Sequence, residues 1–536
     1  MNKRYLVPLI ISISVIIGII VGAFITSRFS VNKLNIINAT SNKLNDLLHI
    51  VEEQYVDTIN ISSVVEKAMP KILAELDPHS NYIPAKDAQA TNDDLRGSFS
   101  GVGVQFTIKN DTVHVTNIIK GGPSERTGIL PGDRIISIDD SAYVGTIVTN
   151  DETMRRLKGK KGTLVKLGIV RHGVKEPLSF NIERGDIPVK SIDATYMLND
   201  KLGYVKINKF SETTYPELLV SLAMLGQFEF EGLVIDLRGN GGGYFSSAIQ
   251  IVNEFLSTNK LIVYTEGRAY KKEDYYSDGR GSYQNLPLII LTDELSASSS
   301  EILAGAIQDN DRGIIIGRRS FGKGLVQQPI NFNDGSLVHL TIARYHTPSG
   351  RCIQKPYTKG DDKNYDMDIL SRYEHGEFFN ADSIHQSGPT YHTLLGRTVY
   401  GGGGVMPDYF VPEDTTNITS YYTEIIKKGY VVQFCFDYTD ANRQKLQSFE
   451  NSDELLKYLK SEDVVEKFIK YCDKKGVKRR NKLIWKSQKL IEQSVYGAII
   501  YNIFDMADYI EFINRNDPTV IKAIELFNQG KTFPKP

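Results

Sequence analysis

Between Lys201 and Gly317 short apolar runs alternate with segments of helical period, and this alternation constrains the fold more than any other feature of the chain. "KLGYVKINKF" and "EGLVIDLRGN" read as strands, and "TYPELLVSLAMLGQF" between them reads as a helix. "FSSAIQIVNEFLS" is again helical, "KLIVYTEG" and "LPLIILTDEL" are strands, "SSSEILAGAIQDN" is a helix and "RGIIIG" a strand. Strands alternating with helices argue for a layered α/β sheet with sites at the strand ends.

The flanks differ. From residue 31 to about 94 the pattern is helical: "NKLNDLLHIVEEQYVD" sets Leu44, Leu47, Leu48, Val51 and Tyr55 close to a spacing of three and four, and "ISSVVEKAMPKILAELDPHS" repeats this until proline stops it. Residues 95–182 turn to short strands and glycine turns, with two β runs in "GVGVQFTIKNDTVHVTNII" and a helix expected at "PSERTG". A sheet domain follows over 183–414, with a polar, irregular insertion at 350–400 that holds a short helical piece around "DILSRYEHGE". Residues 415–536 alternate helical segments with charged stretches. That tail is read as an oligomer contact, a guard for the active site or an adaptor surface, and the N-terminal helices equally as a pairing surface between subunits.

The N-terminus sets Lys3 and Arg4 before an uncharged stretch from Leu6 to Ile25. Twenty helical residues rise about 30 Å, enough to cross the hydrocarbon core, and the basic pair should stay cytoplasmic. Residues 1–30 therefore read as a single membrane anchor with the remainder outside the inner membrane, in the periplasm or beyond; a cleaved signal peptide is the competing reading. A net charge of −1 gives no electrostatic case for nucleic acid. Cys352, Cys435 and Cys472 are odd in number and lack metal-ligand spacing, so neither a disulfide framework nor a metal site is expected.

Three stretches carry chemistry. "GRRSFGKG" (317–324) is one residue short of a phosphate-binding loop, but Gly324 stands where the magnesium-binding hydroxyl belongs. The runs "LVQQPINF" and "SLVHLTIARY" flank an Asn333-Asp334-Gly335 turn, so Lys323 opens a hairpin and not the helix that phosphates need. A lysine whose pKa is lowered by burial serves as a base when a nucleophile lies within reach. "ELSASSSEILAGA" offers Ser296, Ser298, Ser299 and Ser300 at the junction of a strand and a helix, where helix-capping is the alternative use. In "DLRGNGGGYFSSA", Asp236 ends a buried strand and Gly239, Gly241, Gly242 and Gly243 crowd the next turn, which suits either a tight corner or main-chain donors facing an oxyanion.

Taken together these motifs resemble two families. "GVGVQF" followed by "GGPSERTGILPGDRIISID" is similar to a PDZ domain, and the resemblance implies that Gly101, Val102, Gly103, Val104, Gln105 and Phe106 capture a peptide C-terminus by strand addition. "YVD", "LDPHSNYI", "DLRGNGGG", "SASSSEILAGAIQD", "GRRSFGKGLVQ" and "GGGVMPD", in that order, resemble the carboxyl-terminal processing peptidases, or tail-specific proteases. The resemblance implies a multidomain α+β chain with a crotonase-like peptidase domain. It further implies Ser298 as nucleophile, Lys323 as general base, Gln327 as a holder of the lysine amine, and Ser299 N–H with Gly242 N–H as oxyanion donors. Ser300 stays open as nucleophile and Gly241 as the second oxyanion donor. No cofactor follows, and the partners implied are protein substrates bound by their C-terminal tails. An inactive membrane-anchored PDZ scaffold and a retinoid- or lipid-binding protein on the same sheet remain as other classes of function.

Overall fold

The computed structural model describes residues 43–384 and 388–535. The apolar stretch Leu6–Ile25 lies outside them, and among the described residues no helix is long and apolar enough to cross a membrane. Residues up to Glu75 form one compact unit and Leu76–Pro536 another. The first holds a helix over 43–54 and a second, Ile61–Ala74, capped by the Asn60 side chain, which accepts from Ser63 N–H at 3.0 Å.

In the larger unit, strands Ile192–Met197, Leu202–Ile207, Gly232–Asp236, Leu288–Thr292, Ile314–Gly317 and Tyr409–Phe410 lie side by side in that order. The first pair is antiparallel and the rest are parallel. Three of these strands, "GLVID", "LIILT" and "IIIG", are buried along their whole length, so both faces of the sheet must be covered. One face carries helices Phe245–Phe255 and Ser299–Asp309, whose Ile251, Phe255, Leu303 and Ile307 share a core with Val205, Leu233 and Ile235. The opposite face, lined by Tyr204, Val234, Ile289 and Ile316, is covered by Ile510 of helix Met506–Asn514 and by Val520, Ala523 and Leu526 of helix Pro518–Asn528.

The strand expected from "KLIVYTEG" forms as Leu261–Glu266 but not in this sheet. It pairs antiparallel with Glu273–Tyr276 and with Leu337–His346, in a second sheet that also holds Asn81–Ile83 and Leu325–Asn331. The expected hairpin after Lys323 is this sheet's centre, Leu325–Asn331 against Leu337–His346. The polar insertion is more ordered than its composition suggests. It contains helices Asp362–Asp366 and Asp368–Glu374 and the hairpin Thr390–His392/Thr398–Tyr400.

Its entry point is tied down by Arg351, which is wholly buried. The guanidinium donates to Asp309 Oδ1 and Gln308 Oε1, both at 2.7 Å, and to Tyr400 O at 3.1 Å. Truncation leaves a buried carboxylate without its cation, so Arg351→Ala is expected to cost about 3–5 kcal/mol, read as a lower urea midpoint. An unchanged midpoint would show that Asp309 finds another partner.

The five long strands Val104–Lys109, Thr112–Ile118, Arg134–Ile138, Leu164–Val170 and Leu178–Glu183 make a separate sheet with helices Pro123–Thr127 and Asn150–Leu157. Val113, Val115, Ile135, Leu167 and Ile169 centre its core. Val104–Lys109 is the end strand, its outer edge unpaired among the described residues. Residues 420–503 build a helical module around Tyr421, Cys435, Leu459, Phe468 and Ile499. Cys352, Cys435 and Cys472 are free thiols.

Candidate active site

Three turns meet at the ends of the parallel strands. The first follows strand Gly232–Asp236, where Gly242 and Gly243 take φ of 99° and 137°. A Cβ on Gly243 would lie 1.9 Å from Phe210 O, and one on Gly242 would lie 2.7 Å from Ser298 Cβ. Only glycine permits both the dihedral and the approach. Asn240, wholly buried, brackets this turn to the next: its carbonyl accepts from Ala297 N–H at 3.0 Å and from Ser300 Oγ at 2.9 Å.

The second turn joins strand Leu288–Thr292 to helix Ser299–Asp309. Of its four serines, three are buried and spend their hydroxyls on main-chain carbonyls: Ser296 on Leu237 O, Ser299 on Gly243 O and Ser300 on Asn240 O, each at 2.9 Å. Ser298 alone stays partly exposed, and its φ of 55° and ψ of −114° are strained for a residue with a side chain. Such a conformation costs on the order of 1–3 kcal/mol and persists only where the surroundings impose it.

The imposing group is Glu301, wholly buried one helical turn on. Its Oε2 accepts from Ser298 N–H at 2.9 Å and from Lys323 N–H at 2.8 Å. Its Oε1 accepts from Gly322 N–H at 2.7 Å and Ser320 Oγ at 2.5 Å. One carboxylate therefore holds the backbones of Ser298 and of the third turn, which carries Lys323. Tyr345 adds a second bracket, its hydroxyl within hydrogen-bond reach of both Ser298 O, at 3.1 Å, and Lys323 O. Burial pushes the Glu301 carboxyl up to about 7, against the opposing hydrogen bonds from Ser320, Lys323, Gly322 and Ser298. The sequence signal that marks Glu301 is an acid three positions after a serine at a strand-to-helix junction.

The Lys323 amine donates to Gln327 Oε1 at 3.0 Å. Burial lowers its pKa below the ordinary lysine value, while Glu301 and Asp77 pull the other way. Gln327 Nε2 in turn donates to His79 O, which fixes which end of the amide faces the lysine. His79 belongs to "DPHS", where Asp77 Oδ1 accepts from the N–H groups of His79 and Ser80, each at 2.9 Å, and from Thr341 Oγ1 at 2.9 Å. The His79 ring sits 2.8 Å from the Tyr365 hydroxyl, and burial followed by the Lys323 charge lowers its pKa to about 4, so it stays neutral. Tyr365 comes from the insertion read as irregular, as does Gln354, whose Oε1 accepts from Gly324 N–H at 2.9 Å.

The donors expected to face an oxyanion are placed as follows. Ser299 N–H opens the helix, where no intrahelical acceptor exists. Gly242 N–H lies against the Ser298 turn but donates to Asn240 Oδ1 at 2.8 Å. Gly101 ends the short strand Ser98–Gly101, and the buried Val102 and Gly103 lead from it into the end strand Val104–Lys109.

Residues 201–363 match the model of peptidase family S41 and residues 100–182 that of the PDZ domain. Residues 421–505 match a family described as of unknown function (DUF8443). The carboxy-terminal processing protease CtpB of Bacillus subtilis is 34% identical over 318 residues, covering 58% of this chain and 65% of that one. The carboxy-terminal-processing protease of Bartonella bacilliformis is 35% identical over 317 residues, 58% of this chain and 72% of the relative. CtpA of Bacillus subtilis is 30% identical over 394 residues, 73% of this chain and 83% of the relative. This chain belongs to the carboxy-terminal processing proteases of peptidase family S41, serine-type peptidases, and carries a PDZ domain.

Proposed function

We propose that the chain is an exported, membrane-anchored endopeptidase that cleaves proteins near their C-termini with a serine–lysine dyad, Ser298 and Lys323. The observation that carries this reading is the shared clasp of Glu301 on the backbones of both residues. In the proposed reaction the neutral Lys323 amine takes the Ser298 proton as the hydroxyl attacks the scissile carbonyl. Gln327 orients the amine. Ser299 N–H and a glycine N–H of the Gly241–Gly242 pair receive the oxyanion; Gly242 serves once its N–H leaves Asn240 Oδ1 for the stronger, charged acceptor. Lys323 then protonates the leaving amine, and water hydrolyses the acyl-enzyme.

The substrate tail is delivered by the PDZ domain, its carboxylate at Gly101–Gly103 and its chain alongside Val104, Gln105 and Phe106. The unpaired outer edge of this strand supports that delivery. The crotonase-like character of the sheet domain belongs to the same proposal, supported by two helices that leave the ends of parallel strands on one face. Lys3 and Arg4 ahead of Leu6–Ile25 support the anchor and the export.

The test is mass spectrometry of a protein with an apolar C-terminal tail after incubation with the full chain. Wild type is expected to release C-terminal fragments, and Ser298→Ala to release them at least about a thousandfold more slowly. Equal rates would remove Ser298 from the reaction. Tight tail binding without cleavage by wild type would leave a scaffold.

A further inference from the structure

The helical module of unknown role is built against the PDZ strand that would receive a tail. Lys109, at the end of that strand, forms an ion pair with Asp437 of helix Tyr430–Leu446. Tyr501 Oη donates to Gln105 Oε1 at 3.3 Å, and Phe436 meets the His114 ring edge-on at 5.5 Å between centroids. Between strand and module lies a cleft of about 430 Å³, with Thr107 and Lys109 on one wall and Val432, Phe436 and Tyr471 on the other.

The geometry points to this cleft as a second peptide subsite, one that takes a bulky apolar side chain located roughly three to five residues before the substrate's carboxyl end. The inference rests on the proposed capture of tails by strand addition. Along Val104–Lys109, the side chains of Val104, Phe106 and Ile108 pack toward the PDZ core. Gln105, Thr107 and Lys109 therefore face the other way, toward the module. A tail whose carboxylate lies at Gly101–Gly103 runs antiparallel to this strand, and its own side chains alternate in step. Those on the face of Thr107 and Lys109 enter the cleft. The wall they meet has an apolar surface made by Val432, 64% exposed, Phe436 and Tyr471, and Gln433, Asp437 and Lys475 line it as well. The polar groups of the cleft are already engaged: Lys109 pairs with Asp437, Gln433 Oε1 accepts from the Tyr471 hydroxyl at 3.3 Å, and the Lys475 amine sits 5.7 Å from the Tyr471 ring centroid, so the cleft selects by apolar contact and not by charge. The PDZ domain would read the last residues and the module the ones upstream.

The test is a fluorescence-anisotropy titration on the full chain, with Ser298→Ala present to keep peptides uncut. Ten-residue peptides share their last three residues and carry Leu or Asp at the positions facing Thr107 and Lys109. The Leu peptide is expected to bind about tenfold more tightly. Val432→Asp, at an exposed site that folding tolerates, is expected to erase the difference while leaving the shared three-residue tail bound as before. Equal binding, tighter binding of the Asp peptide, or a preference that survives Val432→Asp would overturn the subsite. Amidating the carboxyl ends separates the two readings. If amidation matters and the Leu preference is absent, the subsite fails and tail capture stands. If the Val432-dependent preference persists in amidated peptides that bind as well as free acids, the subsite stands and tail capture fails.

Discussion

Lys323→Met is expected to lower kcat/KM by about a thousandfold or more while the protein becomes thermally more stable at neutral pH. A thousandfold loss is about 4 kcal/mol of barrier, within what a positioned base supplies. Stability moves the other way because burial disfavours the charged amine. The sign follows from linkage. A lysine with a depressed folded pKa contributes stability that is present above its unfolded value near 10.5 and lost as pH falls through the folded one. At pH 7 the wild-type protein carries that cost, and methionine of similar length removes it. In the wild type, activity should rise with pH as the amine loses its proton, at a lower pH than an exposed lysine would require. The measurements are a pH–rate profile on a peptide substrate and thermal unfolding of both proteins. Full activity in Lys323→Met would end the dyad reading, and a large fall in unfolding temperature would make the lysine structural.

Glu301→Gln should cost about 10²- to 10³-fold in kcat, with KM changed far less. The carboxylate receives two N–H donors on Oε2 and an N–H with a hydroxyl on Oε1. Glutamine has the same shape but turns one of these acceptors into a donor, which confronts N–H with N–H. The strained Ser298 backbone then loses what holds it. A second readout is the pH profile. An ionised Glu301 raises the Lys323 pKa, so the neutral amide should shift the activity rise to lower pH even as the maximum falls. A structural role alone would lower activity without moving the profile. In the wild type, protonation of Glu301 as pH falls through about 7 should loosen the clasp and steepen the acid limb. Its stability contribution has the opposite sense: with its pKa raised, stability is greatest below about pH 4.5 and is lost as pH rises through about 7. Above about pH 7 the clasp is therefore charged at a cost in stability.

Much of the site was legible in order of residues. "SAS", "FGKG" and "GNGGG" named their turns because each needs an uncommon backbone: the dihedrals of Gly242 and Gly243 and the hairpin after Lys323 leave local signatures. The choice among four serines was not legible, since hydroxyls at adjacent positions look alike in sequence. Burial and carbonyl partners separate them, leaving Ser298 partly exposed. The same holds for "KLIVYTEG", a correct strand expected in the wrong sheet: a run of apolar residues records burial but not the neighbour it pairs with.

The sequence by itself determined which segments become strands, helices and glycine turns, because these depend on periodicity and on local dihedral limits. Only the tertiary structure decided that Glu301 joins Ser298 to Lys323, that His79 orients Gln327 across 248 positions, and that the last two helices cover the far face of the parallel sheet. Those contacts join residues far apart in the chain, and hydrogen bonds and apolar burial between such residues depend on how elements pack, which no local pattern records.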